Sequence, residues 1–278
     1  MIGHHLWPGR IIRMISLDTA VHSDLGNLAS GPNYERVLRL ARDGHFAGCL
    51  NGPPCETWSA ARHLQLSLPG PRPLRSATSP WCLPHRTGKE LRQVDTGSEL
   101  LMNSWKLEAS VVTNGGATLM EHPWENDDTS KASVWRTAAH DQLLMALPDA
   151  FRHRIDQYLY GAKGVKPTCL RALNLGPPQV AAACLRDGQE LWRVRPAVGL
   201  KGKDQNGAWM TSSAKEYPSA LCRTLLVTLI KGLRCRADTE GFRNPVLVPP
   251  AAEQWMRDAW SASYDISRSS FLPDYQEM

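Results

Sequence analysis

A thiol held rigidly at the end of an apolar run is a candidate nucleophile, and "NGPPCETWSAAR", residues 51–62, sets one there. Pro53 and Pro54 fix two φ angles and remove two backbone donors directly before Cys55, so the loop presents that side chain with little freedom. A helix opening just beyond it, capped by Thr57 or Ser59, would turn orphan N–H groups and the positive end of its dipole toward the sulfur. That arrangement favours the thiolate. The plainer alternative is a buried structural cysteine beside a tight turn.

The elements that must position this loop are legible as alternating strands and helices. "RIIRMISLD" is β-branched and ends at Asp18, the pattern of a buried strand facing a ligand crevice, and Asp24 follows in a loop. "NYERVLRLARDG" sets Val37, Leu38 and Ala41 on one helical face, and "HFAGCLNGPPC" is a short strand broken by Gly52-Pro53-Pro54. Residues 69–88 are proline-rich and aperiodic, which predicts an irregular surface loop or lid. "KELRQVDTGSELLMNSWKLEA" spaces Leu91, Val94, Ser98, Leu101 and Trp105 as an amphipathic helix despite Gly97, and "GATLMEHP" is a strand ending at Glu121. "SVWRTAAHDQLLMALP" and "DAFRHRIDQYLY" read as helices, 175–215 as loops and short strands, and "YPSALCRTLLVTLIKGL" as a helix closing near Gly232.

The stretch around Cys55 resembles motif IV of the cytosine-5 DNA methyltransferases, Pro-Cys followed by three residues and Ser, here Pro54 to Ser59. In that family the cysteine attacks C6 of an extruded cytosine, a glutamate engages N3, and C5 takes a methyl group from S-adenosylmethionine. Glu121 in "MEHP" is the match to the motif VI glutamate, departing from the usual pattern at His122 and Pro123. An ordinary strand-end carboxylate is the plainer alternative. "DQYLYGAKGVKPT" is similar to the motif VIII region, with Arg154, Lys163 and Lys166 supplying its charge, and "TSSAKEYPSALCRTL" resembles the late motif packed beside the cofactor, with Tyr217-Pro218 at its turn. Together with "RPLR", these stretches are similar to divergent methyltransferase-like domains carried by retroelements.

The resemblance implies an α/β fold with a Rossmann-like methyltransferase sheet lacking its first central strand, because no Gly-rich cofactor turn precedes the strand at 11–18. It implies a methyltransferase-like domain over 1–232, a loop insertion at 69–88, a reduced recognition region at 175–215, and a C-terminal extension over 233–278. S-adenosylmethionine would be held by Asp18, Asp24, Pro53 and Pro54. Solvated loop acids are the alternative for both aspartates. Ser59, Arg62, Arg193, Arg195, Lys201 and Lys203 would contact nucleic acid, DNA or RNA, with phosphate contacts giving affinity without sequence choice.

The totals permit this reading without requiring it. The chain has 278 residues, a net charge of +5 and 42% hydrophobic residues, the composition of an ordinary globular protein. No apolar run approaches the roughly 20 residues of a membrane span, and seven scattered cysteines suit free thiols, so an intracellular, monomeric protein is expected, nuclear where DNA is its partner. The rival reading is a catalytically dead remnant of a mobile element that retains at most nucleic-acid binding. A Cys-His hydrolase using His63 or His122, an aminomethyltransferase, and a zinc site at Cys82 and His85 lack supporting patterns.

Overall fold

The computed structural model describes residues 31–63, 71–147, 149–189 and 216–240, with 8, 12, 14–19, 23, 24, 26–29 and 205. Four strands form an open mixed sheet in the order β1-β2-β4-β3: β1 Gly48–Asn51, β2 Ala117–Pro123, β3 Phe151–Asp156 and β4 Pro167–Leu173. β1 and β2 run parallel, while β4 is antiparallel to both β2 and β3. The protein is therefore of the α/β class.

Three helices set the two faces of this sheet. α1, Pro32–Arg42, packs Tyr34, Leu38 and Ala41 against Leu107 and Val111 of α2, Gly88–Thr113, which crosses over from β1 to β2. Alternation along β2 sends Met120 toward Leu101 and Trp105 of α2, and Leu119 toward Leu229 and Leu233 on the other face. Those leucines belong to a helix over Ser219–Glu240. The start of α2 carries a capping box in which Thr87 Oγ1 accepts from the Glu90 amide and Glu90 accepts from the Thr87 amide. Gly97, a helix-weakening residue by propensity, is where a Cβ would lie 3.2 Å from Thr57 Oγ1, so the glycine admits the Cys55 loop.

Several expected elements take another form. Residues 14–19 hold no regular structure, with Met14 and Ile15 69% and 67% exposed, so the expected strand ending at Asp18 is not formed among the described residues. "FRHRID" is strand β3 rather than helix, because Phe151, His153 and Ile155 alternate inward against Arg152 and Arg154 and pair with β4. A helix, α3, forms at Ala138–Ala146 in the "SVWRTAAHDQLLMALP" stretch as expected, whereas within 175–215 a helix, α4 at Pro178–Asp187, stands where loops and short strands were expected. The Ser219–Glu240 helix, α5, does not stop at Gly232; that residue lets the helix approach Leu175, whose carbonyl oxygen lies 2.5 Å from the position a Cβ would take.

The largest departure is the proline-rich segment. From residue 71 onward it is irregular as expected, yet it is a buried wall and not a surface lid: Leu74, Arg75, Trp81 and Cys82 are all buried. Leu83 N donates to Leu74 O at 2.8 Å, closing the segment on itself. Arg75 then ties it to its surroundings. Its Nε donates to Thr57 Oγ1, one terminal nitrogen to the carbonyls of Pro80 and Trp81, and the other to Val94 O and Ser98 Oγ, at 2.9 to 3.1 Å. All five guanidinium donors are used, and the group also lies 4.1 Å from the Trp58 ring centroid. No described helix is long and apolar enough to cross a membrane, and no cysteine among the described residues is in a disulfide.

Candidate functional site

Cys55 follows β1 across Gly52, Pro53 and Pro54, at the carboxyl end of a parallel strand pair, where open α/β sheets carry their ligands. The chain turns immediately, with Trp58 N donating to Cys55 O at 3.0 Å, and then forms a 3-10 turn at Ala60–His63. Ser59 Oγ caps that turn by accepting from Ala61 N at 3.2 Å. Through residue 63 the chain beyond Cys55 forms this 3-10 turn and not the α-helix expected there. Burial raises the thiol's pKa; Lys166 opposes this, and Glu121 and Glu56 add to it.

Glu121 is the second member of the site. It lies on β2, 4% exposed, with its carboxylate pointing to the α5 face. Gln157 Nε2 donates to Oε1 at 3.0 Å, Lys166 Nζ lies 3.7 Å from the same oxygen, and the Tyr217 hydroxyl donates to Oε2 at 2.5 Å. Lys166 also sits 5.6 Å from the Tyr217 ring centroid. Burial first, and then Glu121, drive the Tyr217 hydroxyl's pKa well above its ordinary value, with Cys55 adding to the effect. Thiol, carboxylate, ammonium and phenol thus act on one another electrostatically. The four come from the β1 end, β2, the start of β4 and the approach to α5.

A cavity of about 350 Å³ reaches Glu121 between Leu50, Gly52, Leu119, Leu170 and Tyr217. Cys55 is not in its wall. A second cavity, of about 470 Å³, opens on the other side of the loop against Pro54 and Thr57. His122 is buried between Trp58 and Trp135, burial with Lys166 and Arg75 nearby lowers its pKa to about 3, and it makes no hydrogen bond to Cys55. Among the described residues no group of three or more His, Cys, Asp or Glu side chains could hold a metal ion.

The remaining residues named from sequence are scattered. Asp18 and Asp24 are exposed in the 14–29 segment and line neither cavity, Pro53 is buried, and Pro54 faces the second cavity away from Glu121. These four do not converge on one cofactor site. Arg62 spends its guanidinium inside the protein, donating to Glu56 O, Arg72 O and Gln93 Oε1 at 2.7, 3.2 and 2.9 Å. Arg193, Arg195, Lys201 and Lys203 lie outside the described residues.

Sequence reasoning missed Gln157, Tyr217 as a carboxylate ligand, and Arg75 as the anchor of the Cys55 loop. Gln157 lies in a stretch that reads as helix, and pairing of β3 with β4 is what carries it to Glu121; no local pattern signals that. Gly52 offered a sharper clue. A Cβ there would lie 2.2 Å from the Tyr217 hydroxyl oxygen but 3.2 Å from the ring carbon that bears it. Gly52→Ala is therefore expected to destabilise the protein by about 2 kcal/mol, and to cost much less in a Tyr217→Phe background. Urea unfolding of the four proteins measures the coupling, and additive effects would place the tyrosine elsewhere. Compared with family models, with curated proteins and with solved structures, the chain matches none of them.

Proposed function

We propose that this chain is a cytosine-5 methyltransferase-like protein whose Cys55 adds to a pyrimidine base of DNA. The observation that supports this reading is that Cys55 and the buried carboxylate Glu121 lie toward the carboxyl ends of two adjacent parallel strands, near enough for Glu121 to add to the rise in the thiol's pKa. In the reaction the thiol first gives its proton to solvent water, and the Lys166 ammonium favours the resulting thiolate against the opposing effect of burial. The thiolate then forms an S–C6 bond while the C5–C6 π pair moves into the ring toward C5 and N3, where the Glu121 carboxyl engages the nitrogen. C5 becomes nucleophilic. The base must leave its stack to be reached. S-adenosylmethionine is the methyl donor that the resemblance assigns, but the four residues expected to hold it do not line one cavity.

An oligonucleotide carrying pyrimidin-2-one in place of cytosine tests the thiol chemistry, since the adduct at C6 survives to be weighed by intact mass spectrometry. The full chain is expected to form the adduct, Cys55→Ser to form none, and Glu121→Gln to form it at least tenfold more slowly. An adduct that persists in Cys55→Ser would overturn the proposal, as would its absence from the unsubstituted chain. The rival reading, a remnant that binds nucleic acid without chemistry, is favoured by the fact that Tyr217, Gln157 and Lys166 already occupy the Glu121 carboxylate. That remnant would give neither adduct nor heat on titration with millimolar S-adenosylmethionine.

A further inference from the structure

The second cavity, of about 470 Å³, is a groove with the Cys55 loop as one bank and the N-terminal half of α2 as the other. Pro54, Glu56 and Thr57 form the loop bank. Lys89, Arg92 and Thr96, spaced three and four residues apart on one helical face, form the helix bank. Lys89 and Arg92 are exposed, and neither has an ion-pair partner among the described residues. The carboxylates nearby are committed. Glu90 is held by Arg72 at 2.7 Å and by the Thr87 amide at 2.9 Å. Glu56 accepts from Gln93 at 3.3 Å, beneath the Arg62 guanidinium.

Positive charge is crowded here. Arg62, Arg72, Arg75 and Arg86 lie behind the same end of α2; beyond burial, Arg72 lowers the pKa of Arg86 against Glu90 and Cys82, and Arg62 lowers that of Arg75 against the larger effects of Cys82 and Asp95. Lys89 and Arg92 are the exposed cations that line the groove, and a polyanion laid along it would meet their charge. Pro54, Glu56 and Thr57 flank Cys55 in the chain, so a strand lying in the groove would run along the loop that carries the thiol, although Cys55 itself does not line the groove.

We propose that this groove is a track for the phosphodiester backbone of one nucleic-acid strand, with Lys89 and Arg92 as its phosphate contacts. The choice of occupant rests on the proposed addition of Cys55 to a base, whereas the charge of the groove does not. A polyphosphate strand fits better than an acidic peptide because the two cations stand one helical turn apart beside a loop that would meet a base, so backbone and base can be engaged together.

Fluorescence anisotropy of an end-labelled single-stranded 20-nucleotide DNA, titrated with the full chain at several KCl concentrations, tests the track. Lys89→Glu with Arg92→Glu is expected to weaken binding about tenfold or more and to reduce the salt slope by about 1.4, two contacts at ~0.7 each. Arg36→Glu with Arg39→Glu on α1 changes net charge equally and is expected to have little effect; thermal unfolding of both variants checks that the fold is kept. Lys89→Gln with Arg92→Gln should fall between. Equal losses in the two charge-reversed pairs, unchanged binding in the groove pair, or no binding by the unsubstituted chain would each overturn the proposal. Polyglutamate competing as well as unlabelled DNA would overturn the nucleic-acid assignment. Anisotropy needs no reaction at Cys55, so binding through the groove without an adduct would separate failure of the chemistry from failure of the track.

Discussion

Arg75→Met is expected to lower stability by about 3 to 5 kcal/mol and the unfolding midpoint by roughly 10 °C. The substitution keeps a long apolar stem but removes every donor: the oxygens of Thr57, Pro80 and Trp81 lose their guanidinium bonds, while Ser98 Oγ and Val94 O keep only their bond to each other at 2.8 Å among these side-chain contacts. Burial lowers the pKa of Arg75 to about 9, which leaves it charged at neutral pH. Since its hydrogen bonds run to neutral oxygens and its charge faces Trp58, the geometry of the planar fork matters as much as the charge. Arg75→Lys is accordingly expected to recover little. Because Thr57 is one of the acceptors, alkylation of Cys55 should quicken in both variants before the midpoint is reached. A wild-type midpoint in Arg75→Met would show that the 71–83 wall is held by its apolar side chains alone.

Stability is also expected to fall steeply as the pH drops from 7 to 5, by about 2 kcal/mol for each of two histidines. His122 and His140 are buried among tryptophans, with Trp135 between them at ring distances of 6.0 and 5.2 Å. Burial lowers both pKa values to about 3, helped by Lys166 and Arg75 at His122 and by Arg171 and Arg152 at His140. In the unfolded chain each titrates near 6.5, so the unfolded state takes up protons that the folded state refuses. The stability that neutrality confers is complete above about pH 6.5 and is lost progressively below it, toward pH 3. Glu90, lowered to about 2 chiefly by its Arg72 hydrogen bond, loses its contribution only in more acid solution, below its unfolded value. Urea unfolding at pH 7, 6 and 5 measures the slope, and His122→Phe with His140→Phe should flatten it. A slope unchanged in that pair would assign the acid sensitivity to other groups.

Local pattern carried much of this fold. β1, β2, α1, α2 and α5 follow from periodicity and breakers, and the turn at Gly52-Pro53-Pro54 that exposes Cys55 follows from its residues alone. Where the pattern misled, pairing partners decided. "FRHRID" alternates with period two, but its charges obscure the strand until β4 lies beside it; "RIIRMIS" has the strand composition, yet no sheet neighbour claims its described residues. Burial of the proline-rich segment depends on one arginine finding five acceptors drawn from three separate stretches of chain. The site divides in the same way. Cys55 and Glu121 stand out as residue types at strand ends, whereas Gln157 and Tyr217 are recruited by tertiary contact.

The shortness of β1 bears on self-assembly. Among the described residues this strand bonds on one side to β2, leaving an outer edge of four residues with Leu50 38% exposed. Two prolines directly beyond Gly52 stop that edge from lengthening, since they have no amides to offer a neighbour. Copies meeting along the β1 edge would share a ladder too brief to template stacking, which blunts the aggregation hazard at that side of the open sheet.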